Sequence, residues 1–271
     1  MTRVISDLEI AQSNSQFTAA CALIARRRPD ADIVDRDGLA IRWAGAPSLF
    51  FNTVFLAERV ADPDLLKRRF LAAAQFMRSK SQRGLFLACQ DYLAEPALAQ
   101  LDAASGEAGL VYALDVFGMT GDCDQFDYPA APPGLSFKRA IDEEGLRQCA
   151  DISSLANGDP LEPRRESILG SPLWREHAFS YLGYYEGRAV STATVLVNDG
   201  QLYLALVATL KDMQGRGLGS ATVLHALKAA HAATGLVRTS LDSTPAALAM
   251  YARIGYRQVT RTRVYLVSGA H

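Results

Sequence analysis

The stretch VATLKDMQGRGLGSA, Val207 to Ala221, decides how this chain is read. A hydrophobic run, Leu202 to Ala208, leads into it, and an amphipathic pattern leaves it, with Leu218, Ala221, Leu224 and Leu227 on one face until Gly235. That is a strand, a loop and a helix beginning at about Gly217. The loop, Gln214-Gly215-Arg216-Gly217-Leu218-Gly219-Ser220, has glycines that let backbone approach a ligand closely. Successive N–H groups at a helix N-terminus, with the dipole and Arg216, suit phosphate oxygens. Its spacing, GxGxG and then Ser220 without a lysine, matches neither the GxGxxG of a dinucleotide fold nor a P-loop. An ordinary tight turn at a helix start is the bland alternative.

Around this segment the remaining elements fall into order. Upstream, Leu135 to Ala140 reads as a strand, and Asp142 caps a helix ending at Asn157-Gly158. Asp159 to Trp174 reads as short helix and loop. Phe179 to Tyr185 and Ala189 to Val197 then form an antiparallel meander with Leu202 to Ala208, turning at Glu186-Gly187 and Asn198-Asp199-Gly200. Downstream, Val237 to Leu241 is a strand, and Thr244-Pro245 reads as N-cap and first-turn proline of a helix to Ile254, stopped by Gly255. Tyr256 to Thr260 and Arg263 to Val267 read as two last strands. The class is α/β with a mixed sheet.

The first half is patterned similarly: strands near Leu39 to Trp43 and Leu49 to Leu56, a helix from Pro63 to Ser79, a strand from Gly84 to Cys89, a helix near Pro96 to Ala104, and a strand near Gly109 to Val116. The order of elements repeats, which points to an internal duplication. Between the halves, GDCDQFDYPAAPPG (Gly121 to Gly134) reads as a solvated linker, giving domains 1–128 and 134–271. Asp122, Asp124 and Asp127 lack calcium-loop spacing.

Strand, Gln/Arg-x-x-Gly-x-Gly, helix resembles the pyrophosphate loop of the GNAT superfamily of acyl-CoA N-acyltransferases. LDSTPAALAMYARIGY, Leu241 to Tyr256, is similar to that family's segment ending Tyr-x-x-x-Gly-Phe/Tyr. The resemblance covers Leu135 to about Val267, and the first half resembles at most a degenerate copy. It has no glycine loop: Leu56 to Asp64 reads LAERVADPD. A GNAT-like fold, tandem with a degenerate first copy, is therefore expected.

What the resemblance implies is direct transfer of an acetyl or similar acyl group from acyl-CoA, a cosubstrate, to an amine, without a covalent enzyme intermediate. By position, Val207, Ala208 and Thr209 match the splayed strand that pairs with the pantetheine arm, and a backbone N–H near Val207 or Ala208 would hold the oxyanion. Gln214, Gly215, Arg216, Gly217, Leu218, Gly219 and Ser220 match the pyrophosphate cradle. Thr244 falls where relatives often carry a cofactor-holding Asn. Tyr251 matches the general acid that protonates the departing thiolate; as a residue on its own it also reads as a half-buried helix aromatic. Relatives often place a carboxylate base on the strand before the loop, but Gln201 to Thr209 contains none, leaving Glu186, Asp199, a water chain or a group from the first half. That gap supports an alternative, a non-catalytic acyl-CoA sensor or regulatory module.

Composition narrows the partners. The 271 residues balance 28 basic against 29 acidic side chains, a net charge of -1, so no global field draws the chain to nucleic acid or an anionic membrane. Cys21, Cys89, Cys123 and Cys149 have no CxxC spacing, and His177, His225, His231 and His271 have no i, i+4 pair, so no metal site is expected. Asp7 and Glu9 interrupt any leader-like run, and free thiols fit a cytoplasmic protein, monomer or homodimer. The acceptor stays open between a small-molecule and a peptide amine. Trp43, Phe50, Phe51 and Asn52 are candidate acceptor-pocket or core residues, and Lys67-Arg68-Arg69 and Arg26-Arg27-Arg28 read as solvated helix faces.

Overall fold

In the computed structural model, which describes residues 5–269, Ser6 opens the first helix, α1 (Asp7–Ala25). Its hydroxyl accepts from the Glu9 N–H while the Glu9 carboxylate accepts from the Ser6 N–H, a reciprocal capping box. There follow β1 (Asp32–Arg36), β2 (Leu39–Trp43), β3 (Asn52–Leu56), α2 (Pro63–Arg78), β4 (Leu85–Cys89), α3 (Leu101–Glu107) and β5 (Leu110–Asp122). A second series runs β6 (Leu135–Arg139), α4 (Glu143–Asn157), α5 (Leu161–Leu169), α6 (Leu173–Glu176), β7 (Ala178–Tyr185), β8 (Arg188–Asn198), β9 (Gln201–Thr209), α7 (Leu218–Thr234), β10 (Arg238–Ser243), α8 (Leu248–Ile254) and β11 (Arg257–Val267).

The duplication is visible in the connections. β1, β2 and β3 pair antiparallel and β3 pairs parallel with β4 across α2. Likewise β7, β8 and β9 pair antiparallel and β9 pairs parallel with β10 across α7. Each series then continues through a short helix to a long strand. The sheet is mixed and the class is α/β.

Two units emerge, and they are not consecutive in the chain. One holds residues up to Gly118, Ser243–Ala246 and the chain from Val259; the other holds Met119–Asp242 and Ala247–Gln258. The first unit thus takes most of β11, and the second takes the end of β5. In the first unit β11 pairs antiparallel with β4, Thr262 opposite Cys89 and Val264 opposite Leu87. Its sheet is buried on both faces: Val54, Leu56 and Phe86 pack with Phe70 and Tyr265, while Phe55, Leu87 and Val264 pack with Cys21 and Phe17 of α1. Strands covered on both sides read as unbroken apolar runs, which is why β3 and β4 are wholly buried.

In the second unit the end of β5 lies beside β10: the Cys123 N–H donates to Val237 O at 2.9 Å and Thr120 Oγ1 to Thr239 O at 3.3 Å. Met119, Cys123 and Phe126 sit in a core with Leu204, Leu227, Leu241 and Tyr251. The linker expected from Gly121 is therefore shorter. Gly121 is a packing glycine, since a Cβ there would stand 2.6 Å from the Phe126 ring, and Asp122 pairs with Arg238 at 3.1 Å.

Other expectations change for local reasons. β11 is one strand rather than two, because the charged Arg261 in its middle points outward to Asp115 while its backbone N–H donates to the Asp91 carboxylate. Leu49–Phe51 is a 3-10 turn before β3, and α3 starts at Leu101. Arg69 is buried rather than solvated, pairing with Glu58 over Gly38. Trp43, Phe51 and Asn52 are core, and Asn52 is held by backbone: its amide donates to Ala46 O and Arg83 O. Phe50 is exposed. All four cysteines are free and buried.

Candidate functional site

Nothing in the β9–α7 connection fills the end of the helix. The N-cap of α7 is Gly217, with φ 75° and no side-chain cap. Ala221 N–H donates to Gly217 O, the first bond of the helix, so the N–H groups of Leu218, Gly219 and Ser220 have no partner within it. Gly215, φ 77°, adds a second left-handed position, and no atom lies within 4 Å of where its Cβ would stand. A Cβ at Gly217 would meet only Pro132, at 3.9 Å. A side chain at either position would be strained and would fill this open space.

The rest of the loop is fixed from below. Gln214 Nε2 donates to Thr209 O at 3.0 Å. Gly219 is needed for close approach, since a Cβ there would fall 2.5 Å from Thr209 Oγ1. Arg216 is exposed. Arg188, hydrogen-bonded to Asp212 Oδ2 at 2.7 Å, holds that carboxyl below its ordinary range, and Arg216 adds to the effect.

β9 itself is irregular. Thr194 pairs with Ala205 but Thr192 with Ala208, so β9 carries one additional residue, and Leu206 takes φ 49°. A positive φ at leucine is uncommon and marks an imposed backbone. The bulge resets the alternation: Leu202 and Leu204 face the α7 core before it, Val207 packs on that core after it, and Thr209 lies beside Gly219. With β10 the parallel pairing consists of Thr239 with Leu202 and Ser240 with Tyr203, so among the described residues Leu204 to Thr209 ladder with β8 only.

Tyr251, on α8, joins Val207 in this core. It is 6% exposed, its ring meets Tyr256 edge-on at 5.9 Å, and burial pushes its phenol well above the ordinary value. Tyr256 in turn exchanges a hydrogen bond with Thr239 Oγ1 at 2.9 Å. Thr244 lies in the turn that follows β10. It is exposed, falls in Ser243–Ala246 of the other unit, and does not cap α8, whose N-cap is Ala247 after a 3-10 turn at Pro245–Ala247.

Two further features adjoin the loop. A cleft of about 390 Å³ opens beside Gly217 and Ser220, walled by Tyr128, the Pro129 to Pro132 segment, His225 and Lys228. Lys228 Nζ lies 5.8 Å from the Tyr128 ring centre, and His225 stacks on Phe137 at 4.2 Å. Burial and Lys228 lower the His225 pKa, so its ring is neutral near pH 7. On the opposite sheet face, Tyr203 Oη donates to Asp242 Oδ2 at 3.0 Å.

In comparison with known proteins, the acetyltransferase (GNAT) family profile matches residues 149–256. This segment is a GNAT domain. It is similar to the N-alpha-acetyltransferase MAK3 of Arabidopsis thaliana, 30% identical over 104 residues, 36% of this chain and 53% of that one, so the chain spans about half of that relative. The fold is also that of solved GNAT proteins. A GCN5-related N-acetyltransferase from Kribbella flavida superposes with a TM-score of 0.71 at 18% identity over 97% of both chains. A tandem GNAT protein from the clavulanic acid biosynthesis pathway gives 0.55 at 15% identity over 98% of this chain and 97% of its own.

Within the GNAT domain, sequence reasoning singled out the loop and Tyr251 but passed over Tyr203, Asp242 and the cleft. Asp242 stands in the quoted LDSTP segment, two residues after Ser240. A lone acid between Leu241 and Ser243 on a strand, facing away from the leucine, was the available signal.

Proposed function

We propose that this chain transfers an acetyl or similar short acyl group from acyl-CoA to an amine. The observation that carries the reading is the uncapped start of α7, with Gly215 and Gly217 left-handed and open. The N–H groups of Leu218, Gly219 and Ser220 bind pyrophosphate, Arg216 adds a cation, and Gln214 keeps the loop against Thr209. Val207, Ala208 and Thr209 offer backbone on the edge that β10 leaves free, where an extended pantetheine amide adds like a strand. The cleft beside Ser220 suits the nucleotide end, with Tyr128 and His225 for stacking and Lys228 for phosphate. Thr244, by family position, offers a hydroxyl.

When bound, acyl-CoA supplies the activated thioester. Tyr251 keeps its proton across the physiological range and is suited to donate it to the leaving sulfur. The first unit is a degenerate copy that serves as scaffold, so one acyl-CoA site per chain is expected: its corresponding turn, within LAERVADPD, carries Asp62, which caps its own helix. We assign a small-molecule or peptide amine as acceptor and a cytoplasmic setting, with no nucleic-acid or membrane role, from the near-neutral charge. No described helix is long and apolar enough to cross a membrane.

Calorimetric titration with acetyl-CoA, run beside ATP and NAD, tests this directly. Saturable binding of acetyl-CoA alone, followed by thiol release with a primary amine, is the expected result. Binding to a nucleotide only, or none to acetyl-CoA, would sink it.

A further inference from the structure

We propose that Asp242 takes the proton of the incoming amine, with Tyr203 as the residue that positions its carboxylate. The inference rests on the acyl-CoA reading above and adds the base that the strand before the loop lacks.

Alternation along the two strands supplies the geometry. Leu202 and Leu204 of β9 and Leu241 of β10 face the core that holds Tyr251, so Tyr203, Ser240 and Asp242 face the other way. Tyr203 Oη reaches Asp242 Oδ2 at 3.0 Å, and Ser240 Oγ, on a residue 5% exposed, has no hydrogen-bond partner. Asp242 is half-buried. Ser240 and Tyr203 form the last parallel pair, and Asp242 stands two residues beyond it, where the strands part. A donor thioester lying between the parted strands has Tyr251 on one side and Asp242 on the other. An amine approaching from the Asp242 side meets carboxylate and hydroxyl first.

Other carboxylates are worse placed. Glu186 and Asp199 are exposed at hairpin tips, with φ 50° and 44°. Asp199 also precedes β9 whereas the loop follows it, and nine residues of strand at about 3.3 Å each separate the two ends. Burial, opposed only by the Tyr203 hydrogen bond, lifts the Asp242 carboxyl to about 7, and no charged neighbour contributes. A base of that strength changes state at the pH where it must work.

The step balances. An ammonium R–NH3⁺ gives one proton to the Asp242 carboxylate, and the freed lone pair forms the N–C bond at the thioester carbonyl. The C–S bond breaks with its electron pair on sulfur, sulfur gains a proton from Tyr251, and the nitrogen loses its second, which restores the phenol. Amide, thiol and protonated Asp242 result, and Asp242 returns its proton to water. The acceptor class is a primary amine that arrives protonated.

The test uses the whole chain, Asp242→Asn and Tyr203→Phe, with ethanolamine, lysine, glucosamine and a Met-Leu peptide as probe amines. Asp242→Asn is expected to lower kcat/KM for thiol release about 100-fold or more, with acetyl-CoA affinity by calorimetry unchanged. A carboxyl-carbon NMR titration should show one aspartate titrating near pH 7 in the wild type and none in Asp242→Asn. Tyr203→Phe removes a bond to the ionised form and should move that midpoint, and the acidic limb of kcat/KM, to higher pH. Wild-type turnover in Asp242→Asn, or no aspartate titrating above the ordinary range, overturns the proposal; the NMR result decides even if no probe amine reacts. Should Asp242→Asn not fold, an unmoved midpoint in Tyr203→Phe overturns it equally. Wild-type protein that fails to bind acetyl-CoA would instead overturn the acyl-CoA reading.

Discussion

The chain makes the same connection twice and finishes it in opposite ways. After β3, the turn into α2 ends in Asp62, whose carboxylate accepts from the Asp64 N–H at 2.9 Å, with Pro63 as the first helical residue and Asp64 adding a second negative charge. After β9, the turn into α7 ends in Gly217, and the first turn of that helix has no acidic residue. One helix N-terminus is capped by its own chain; the other has no side-chain cap and no acidic residue beside its N–H groups and dipole. The following helices differ too. α8 carries Tyr251, and its counterpart α3, LDAASGE, has no tyrosine. A topology repeated twice therefore need not carry chemistry twice, because what differs between the copies is confined to a few residues of the turns and short helices.

The sharpest way to break this contrast is Tyr251→Phe, expected to lower turnover about 100-fold or more while leaving acetyl-CoA affinity as it is. Wild-type turnover in the variant would remove Tyr251 as the acid, and no thiol release from either form, with acetyl-CoA still bound, would favour a binding module. Next comes Gly217→Glu, which makes the α7 junction resemble the acidic α2 junction. We expect acetyl-CoA affinity to fall about 100-fold, near 3 kcal/mol, and unchanged calorimetric affinity would remove the cradle assignment. A third test contrasts the two aspartates through stability. The folded pKa of Asp242 lies above its unfolded value, so its ionisation in the folded state costs stability, a cost absent near pH 3 that builds as pH rises to about 7. Asp242→Asn should gain about 1–3 kcal/mol at pH 8 over wild type and nothing at low pH, read by denaturant unfolding. Smallest is Asp62→Ala, expected to cost about 1 kcal/mol through the lost cap, with acetyl-CoA binding untouched; weakened binding there would mean that the first junction is not inert.

Much of the second repeat was legible because local rules and burial agree there. Asp142 accepts from the Gly145 N–H, Gly158 and Gly235 end their helices left-handed, and Glu186 and Asp199 make the hairpins. Helix α1 was not legible. Its buried side includes Ser13, Asn14 and Gln16, and Ser13 Oγ bonds Thr260 Oγ1 at 3.2 Å, a partner 247 residues away. Small polar residues that face a core leave no apolar stripe to find. Arg69 escaped for a similar reason: its burial depends on Glu58 and on the missing side chain of Gly38. At the site, glycine spacing was readable from sequence, whereas Asp242 needed the pairing of β9 with β10 to bring it to Tyr203.

The placement of β11 has a consequence for biosynthesis. Strands β1 to β4 are made early, yet the partner that covers the β4 edge, Phe86 to Cys89 opposite Thr262 to Tyr265, is translated only after the second repeat. During synthesis the nascent first unit therefore presents an apolar, unpaired strand edge for as long as the whole second repeat takes to emerge. A chain truncated anywhere between β5 and β11 would carry that sheet without the strand that pairs its β4 edge, leaving an open edge prone to pairing with other chains.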